Sequence, residues 1–335
     1  MTFVRTVIAL VAAASLVALA PARAQAPAAA KPDAPQVAQA GPHAETVAAK
    51  IGGAVAEANT DIITPHITDA HHLEIPYWRA PFVHEVDLPR WAPVHVFGKA
   101  VDLSPTKHVV MLLLAATLVS LMLIFTARAH VRATETVGHP KGYAAGIEAM
   151  VMYIRNEVIL PNVGPHGNGY VPYLLTVFFF ILAANLLGLL PYMSTATGNI
   201  SVTATLAIIS FVVIEISGIR AQGLGYLNTL FFWQKDLALP LRVIMFLIIS
   251  PIEMVGKIAR PFALTIRLFA NMTAGHIVVL AFIGLIFFFK SLISGAPFLL
   301  AIAIMMLELA VAFIQAFVFT LLTAVFIGQV REAHH

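Results

Sequence analysis

Two apolar stretches near the C-terminus, from about Phe262 to Phe289 and from Phe298 to Gly328, constrain this chain more than any other feature. Each holds nearly thirty residues or more. As helices rising ~1.5 Å per residue they reach roughly 42 Å or beyond, against a hydrocarbon core ~30 Å thick. They are therefore expected to be strongly inclined or bent, as suits helices that wrap a partner surface, although length alone fixes no angle.

Three shorter apolar segments precede them: about Val109 to Phe125, Val171 to Tyr192 and Ile200 to Ile219. Between the first two, Tyr143 to Leu160 interleaves Ile147, Val151, Met152 and Ile154 with Glu148, Arg155 and Glu157. That is too polar to span and reads as an amphipathic helix lying along the interface. The expected fold is an all-α integral membrane protein with about five membrane helices plus this interfacial one. Composition agrees: of 335 residues, 59% are hydrophobic and 11% charged, more apolar surface than one soluble core could hide. The absence of cysteine excludes disulfides, thiolate metal sites and cysteine nucleophiles. A net charge of +3 spread along the chain sets topology rather than forming a nucleic-acid patch.

The N-terminus has its own organisation. Arg5, an apolar run from Val7 to Ala20 and the triplet Ala22-Arg23-Ala24 resemble a secretory signal peptide, residues 1–24, cleaved before Gln25. An uncleaved anchor is the alternative. Residues 25–59, rich in Ala and Pro, are expected to be a flexible tether. Residues 60–107 carry Tyr77, Trp78, Phe82, Trp91 and Phe97 and are expected to form a small extracytoplasmic region. His66, His71, His72, His84 and His95 in this region lack metal-ligand spacing and read as solvated loop histidines, so no metal or cofactor is expected. Residues 108–331 are then the membrane domain. Arg128, Arg132, Lys141 and Arg155 flank one side of it while the linker from Tyr192 to Asn199 is uncharged. The positive-inside rule puts the first exit in the cytoplasm of a bacterial inner membrane, the N-terminal region outside and the C-terminus inside.

Ionisable groups within apolar sequence cost several kcal/mol each, so each needs a reason. Arg260 and Arg267 are seven residues apart on one helical face, with Asn271 a turn further. His276 follows Arg267 by nine residues, about 14 Å along the axis. Glu253, Lys257 and Arg260 make a polar stripe, and Glu308 and Gln315, seven apart on the last helix, can face the same neighbour. Each has a plainer reading: Arg260 could snorkel, and His276 and Glu308 could be an inert buried pair. Arg267, set among Leu264, Ile266, Leu268 and Phe269, is hard to explain that way. A guanidinium keeps its proton at any accessible pH, yet it forces an approaching carboxylic acid to ionise. Two wet paths interrupted by such a cation pass an ion only when a mobile carboxylate carries it. No carboxylate lies near Arg267 on its own helix, and Glu215 sits close to the charged exit at Arg220, so the carrier is expected on another chain.

The segments RLFANMTAGH, PIEMVGKIARPFALTI, NLLGLLPY and the IQAF of the final helix resemble subunit a of F-type ATP synthases over roughly residues 105 to 330. The resemblance implies that Arg267 is the essential arginine facing the carboxylate of the c-subunit ring, with Gln315 beside it. It implies that His276 and Glu308 are the interacting pair of the outer half-channel, and that Glu253 and Asn271 are polar positions of the conduction path. Partners implied are the c-ring, the peripheral-stalk b subunits and the soluble catalytic head. The chain itself is then a non-catalytic, proton-conducting part of the complex. Many bacterial members carry Glu where His276 stands and His where Glu308 stands; the swap keeps the same two groups. The N-terminal extension from Gln25 to about Leu103 lies outside the resemblance. A secondary ion transporter or antiporter would show two similar repeats, and none is evident. A structural membrane anchor would tolerate neutralised charges. The glycines of QGLGYLN lack the phosphate-loop pattern, so nucleotide chemistry belongs elsewhere.

Overall fold

The computed structural model describes residues 69–76, 83–91, 94–96, 99–101, 104–136, 142–190, 195–226, 239–289 and 295–332. The expected signal peptide and tether lie outside the described residues, as do His66, Tyr77, Trp78, Phe82 and Phe97 and the side chains of His72, His84 and His95.

Among the described residues, five helices are long and apolar enough to cross a membrane. They are α1 (Lys107–Thr136), α4 (Val171–Gly188), α5 (Ile200–Gln222), α6 (Leu239–Phe289) and α7 (Gly295–Glu332). The amphipathic segment after α1 forms α2 (Tyr143–Tyr153), a π-helical stretch (Ile154–Ile159) and α3 (Leu160–Val163). It buries Ile154, Val158, Ile159 and Val163 in the core and leaves Asn156 and Glu157 exposed. The membrane part is thus all-α and multi-pass, and its amphipathic helix lies where its alternating residues predict.

Two hairpins stand ahead of the membrane helices. β1 (His72–Pro76) pairs antiparallel with β2 (Val83–Asp87), and β3 (Val94–Val96) with β4 (Lys99–Val101). This segment is fastened to the start of α1. The Asp69 carboxylate lies 2.7 Å from Nδ1 of His108, which is only 2% exposed. The Lys107 amide donates to the Ala70 carbonyl at 2.9 Å, and the Trp91 amide to Oγ of Ser104 at 2.9 Å. His71 is half-buried, its ring nitrogen 3.4 Å from the Pro105 carbonyl oxygen, rather than a solvated loop histidine.

Local chemistry sets the helix ends. Pro172 opens α4, where a missing amide proton costs nothing. Asn199 caps α5, its side chain accepting from the Ser201 amide at 2.9 Å, and α5 stops at Gly223, whose φ of 59° suits glycine. The sequence boundaries for α6 need correction. The helix does not begin near Phe262 but runs unbroken from Leu239 over 51 residues, through Pro251 and Pro261. Proline is tolerated inside membrane helices because neighbouring groups satisfy the freed carbonyls, so the polar stripe of Glu253, Lys257 and Arg260 lies on the same rod as Arg267.

The second half of α7 is the centre of the bundle, packing on α6, α5, α4 and α3. Small residues let it in: Ala312, Ala316 and Ala324 have no exposed surface, and a Cβ on Gly328 would overlap the Asn162 carbonyl oxygen. Two sets of contacts define the bundle's ends. At one, Arg331 donates to the carbonyls of Val163 and Pro165, each at 2.7 Å, and the Gln222 side chain donates to the Val330 carbonyl at 2.7 Å. At the other, the turn at Thr195–Asn199 packs on the end of α4, on α6 and on α1.

Burial pushes the Asp69 carboxyl up, but its hydrogen bond to His108 and the His108 charge outweigh this and hold it below 3.8. A carboxylate depressed in the folded state stabilises fully above its unfolded value, and that contribution disappears as pH falls through the lower folded value. Asp69→Asn is expected to remove roughly 1.5–3 kcal/mol of attachment. Amide hydrogen exchange across residues 69–101 should speed up in this variant at neutral pH, and in the wild type only below about pH 4.

Candidate functional site

Arg267, in the middle of α6, points away from the bundle and is exposed, as is Asn271 one turn on. Among the described residues no acceptor engages its guanidinium. The exposed neighbours on this face are mostly small: Ala259, Ala263, Ala270 and Ala274. A charged group is thus left standing proud of a shallow track that another helix could approach closely. Leu264, Leu268 and Met272 anchor the opposite side of α6 in the interior.

α7 supports this position from behind. Gln315 is 4% exposed, and its side-chain amide donates to the backbone carbonyl of Arg267 at 3.4 Å. One turn earlier, the Ala312 carbonyl accepts from Nδ2 of Asn185 on α4 at 3.4 Å, and Oδ1 of Asn185 accepts from Thr197 at 2.8 Å. Asn185 and Thr197 have no exposed surface. This three-part link ties the turn at Thr195–Asn199 through α4 to the stretch of α7 that meets Arg267.

Glu308 of α7 meets α6 at Gly275, the sequence neighbour of His276, on the side of Arg267 nearer that turn. Glu308 is 8% exposed and lies against Gly275 so closely that a Cβ there would overlap its carboxyl group. One carboxylate oxygen, Oε1, is buried with no hydrogen-bond partner among the described residues. A buried acceptor without a donor is costly unless a proton or a water serves it. His276, adjacent to Gly275, is half-buried beside it.

On the other side of Arg267 the polar stripe of α6 meets α5. Lys257, 6% exposed, places Nζ 2.7 Å from the Tyr226 hydroxyl, 3.5 Å from Oε2 of Glu215 and 4.2 Å from the centre of the Tyr226 ring. The Tyr226 hydroxyl donates to the same Glu215 oxygen at 2.7 Å. Burial and the hydrogen bond to Glu215 push the Tyr226 phenol well above its ordinary range, so it remains a donor. Glu215 is therefore tied to α6. Arg260 is held over the Phe326 ring at 4.8 Å, between α6 and α7, and Glu253 is half-buried further along.

Of the residues singled out from sequence, the fold sets Gln315 against the backbone of Arg267 and Glu308 against Gly275, next to His276, and keeps Glu253 on the far side of Arg267. Sequence reasoning missed Tyr226, Asn185 and Thr197. Tyr226 follows the turn Gly223–Gly225, which folds the chain back so that the ring covers Gly218, and no periodicity announces that return.

Residues 109–328 match the family described as ATP synthase A chain. The chain belongs to the ATP synthase subunit a family. Among its relatives, subunit a 2 of Chlorobaculum tepidum is 45% identical over 291 residues, 85% of this chain and 77% of that one. Subunit a of Chloroherpeton thalassium is 44% identical over 250 residues, covering 73% of each chain. Subunit a of Myxococcus xanthus is 41% identical over 285 residues, 82% of this chain and 90% of the relative. Membership makes this a membrane-sector, proton-translocating subunit of the F-type ATP synthase.

The contact at Gly275 yields a test. Gly275→Val forces α6 and α7 apart at Glu308 and is expected to cost roughly 1–3 kcal/mol, the usual range for overpacking. The temperature at which the detergent-solubilised complex dissociates should drop. Gly284→Val, on the same helix, where an added Cβ meets nothing within 4 Å, should leave it unchanged.

Proposed function

We propose that this chain supplies two offset half-channels to a ring of c subunits, separated by Arg267, so that proton flow is coupled to ring rotation and ATP synthesis. The observation that carries this reading is the exposed, unengaged guanidinium of Arg267 on a track of alanines, with polar groups recessed into the bundle on either side of it. In the outer half-channel, His276 and Glu308 hand protons towards the ring. In the inner one, Glu253 lines the path to the cytoplasm, and Asn271, one turn past Arg267 towards His276, is a further polar position of the conduction path. Gln315, by holding the Arg267 backbone, fixes where the cation stands.

The chemistry needs no nucleotide on this subunit. A protonated carboxyl group carried on the ring turns past Arg267 only after losing its proton, because the permanent cation favours the ionised form. The released proton leaves by one half-channel, and the ring carboxylate is recharged from the other. The ion carried is read as a proton. The subunit is non-catalytic and sits in a bacterial inner membrane with residues 69–101 extracytoplasmic and the C-terminus cytoplasmic. It meets the peripheral-stalk b subunits and, through the complex, the soluble catalytic head. Residues 1–24 are a signal peptide, 25–59 a tether, 60–107 the extracytoplasmic region and 108–331 the membrane domain.

Inside-out vesicles carrying the assembled complex test the role of Arg267. With Arg267→Ala, ATP-driven acidification should fall to background while the c-ring and head remain attached, with or without an increased passive proton leak. Normal coupled acidification in that variant would return Arg267 to a snorkelling surface residue.

A further inference from the structure

The cluster of Glu215, Tyr226 and Lys257 is not used by the mechanism above, yet it is the most tightly tied group of ionisable side chains among the described membrane helices. Three elements build it: Glu215 comes from α5, Tyr226 from the segment after α5, and Lys257 from α6. It lies ten residues from Arg267 along α6, about 15 Å, on the side of Glu253. The charged groups around it are few. Glu253 and Arg260 act on Tyr226 from α6, and α7 contributes Phe326 to the small cavity that Glu215, Lys257 and Arg260 line. That cavity has room for about one water.

A carboxylate beside a proton path is a hazard as well as an asset, because it can take up protons or hold a neighbouring cation out of place. Glu215 is 25% exposed and lies on the cavity that reaches Arg260. Its Oε2 already accepts from Tyr226 and faces Lys257. Lys257 in turn is buried where an ammonium survives only with a partner.

We propose that Lys257 is a positioning residue of the inner half-channel: it acts as a built-in counter-ion that withdraws Glu215 from proton exchange, leaving Glu253 as the working carboxylate, with Tyr226 fixing the pair. The inference rests on the half-channel reading above. Its function is charge balance, so what matters is that the two charges cancel rather than that either is present.

The test uses ATP-driven acidification in inside-out vesicles at several medium pH values, normalised to ATP hydrolysis. Lys257→Met leaves Glu215 ionised and uncompensated at high pH, so the alkaline side of the profile should be lost, moving inward by about one pH unit or more. Glu215→Gln leaves Lys257 uncompensated while it is charged, so the acid side should be lost instead. The Glu215→Gln/Lys257→Met double variant, and Lys257→Arg alone, should show the wild-type profile. A purely structural clamp would lower all pH values alike and would not be repaired by the double variant. That result, or unchanged profiles in both single variants, overturns the proposal. Should both single variants fail to assemble, an assembled double variant with the wild-type profile supports it, and a double variant that also fails overturns it. Arg267→Ala in the same vesicles separates the two ideas. Abolished pumping there with no mirror-image profiles sinks only the counter-ion role, whereas normal pumping sinks the half-channel reading itself.

Discussion

The close seating of α7 against α6 is the constraint on which the site depends. Ala312 and Ala316 have no exposed surface, and a larger side chain at either would have to displace its neighbours. Only with the helices so seated can Gln315 reach the Arg267 carbonyl and Glu308 lie against Gly275. In a bilayer, where lipid tails are as apolar as leucine, such contact is favoured by packing and by hydrogen bonds rather than by expelled water. The buried amide of Asn185 belongs to the same arrangement: it bonds the α7 backbone one turn from Gln315, and its own oxygen is satisfied by Thr197. A half-satisfied amide at that depth would cost more than an apolar residue, so the pair is held together or not at all.

Much of this was legible in the sequence because the bilayer narrows the choices. Length and hydropathy alone predict five spanning helices, and the interleaved charges of Glu148, Arg155 and Glu157 predict the amphipathic one. The improbability of Arg267, with Asn271, His276, Glu308 and Gln315 at helical spacings, singles out one face on each of two helices. What spacing could not give is which helix stands behind which. Tyr226 joins Lys257 through a turn whose direction depends on Gly223 and on the absence of a side chain at Gly218. Asn185 looks from sequence like one more residue of an apolar span. The apolar stretch marks only the second half of α6, because the polar stripe of Glu253, Lys257 and Arg260 breaks the hydropathy while the helix itself continues through it.

The charges are arranged by degree of engagement. Lys257 and Glu215 face each other and Tyr226, Arg331 is spent on two carbonyls at a helix end, and Arg260 lies over an aromatic ring. Against these, Arg267 stands outward in the middle of α6 without an acceptor among the described residues.

The uninterrupted course of α6 has a mechanical side. A rod of 51 residues, about 76 Å long, is anchored by α5 and α7 over part of its length and lies bare over much of the rest. Any tangential load applied at Arg267 is therefore borne as bending of a beam rather than as shear between separate helices. Pro251 and Pro261 each delete one rung of its hydrogen-bond ladder on the side of Lys257, which makes that arm the more compliant of the two. Elastic strain from a turning neighbour would thus gather in one defined stretch of backbone and leave the register of Gln315 and Arg267 undisturbed.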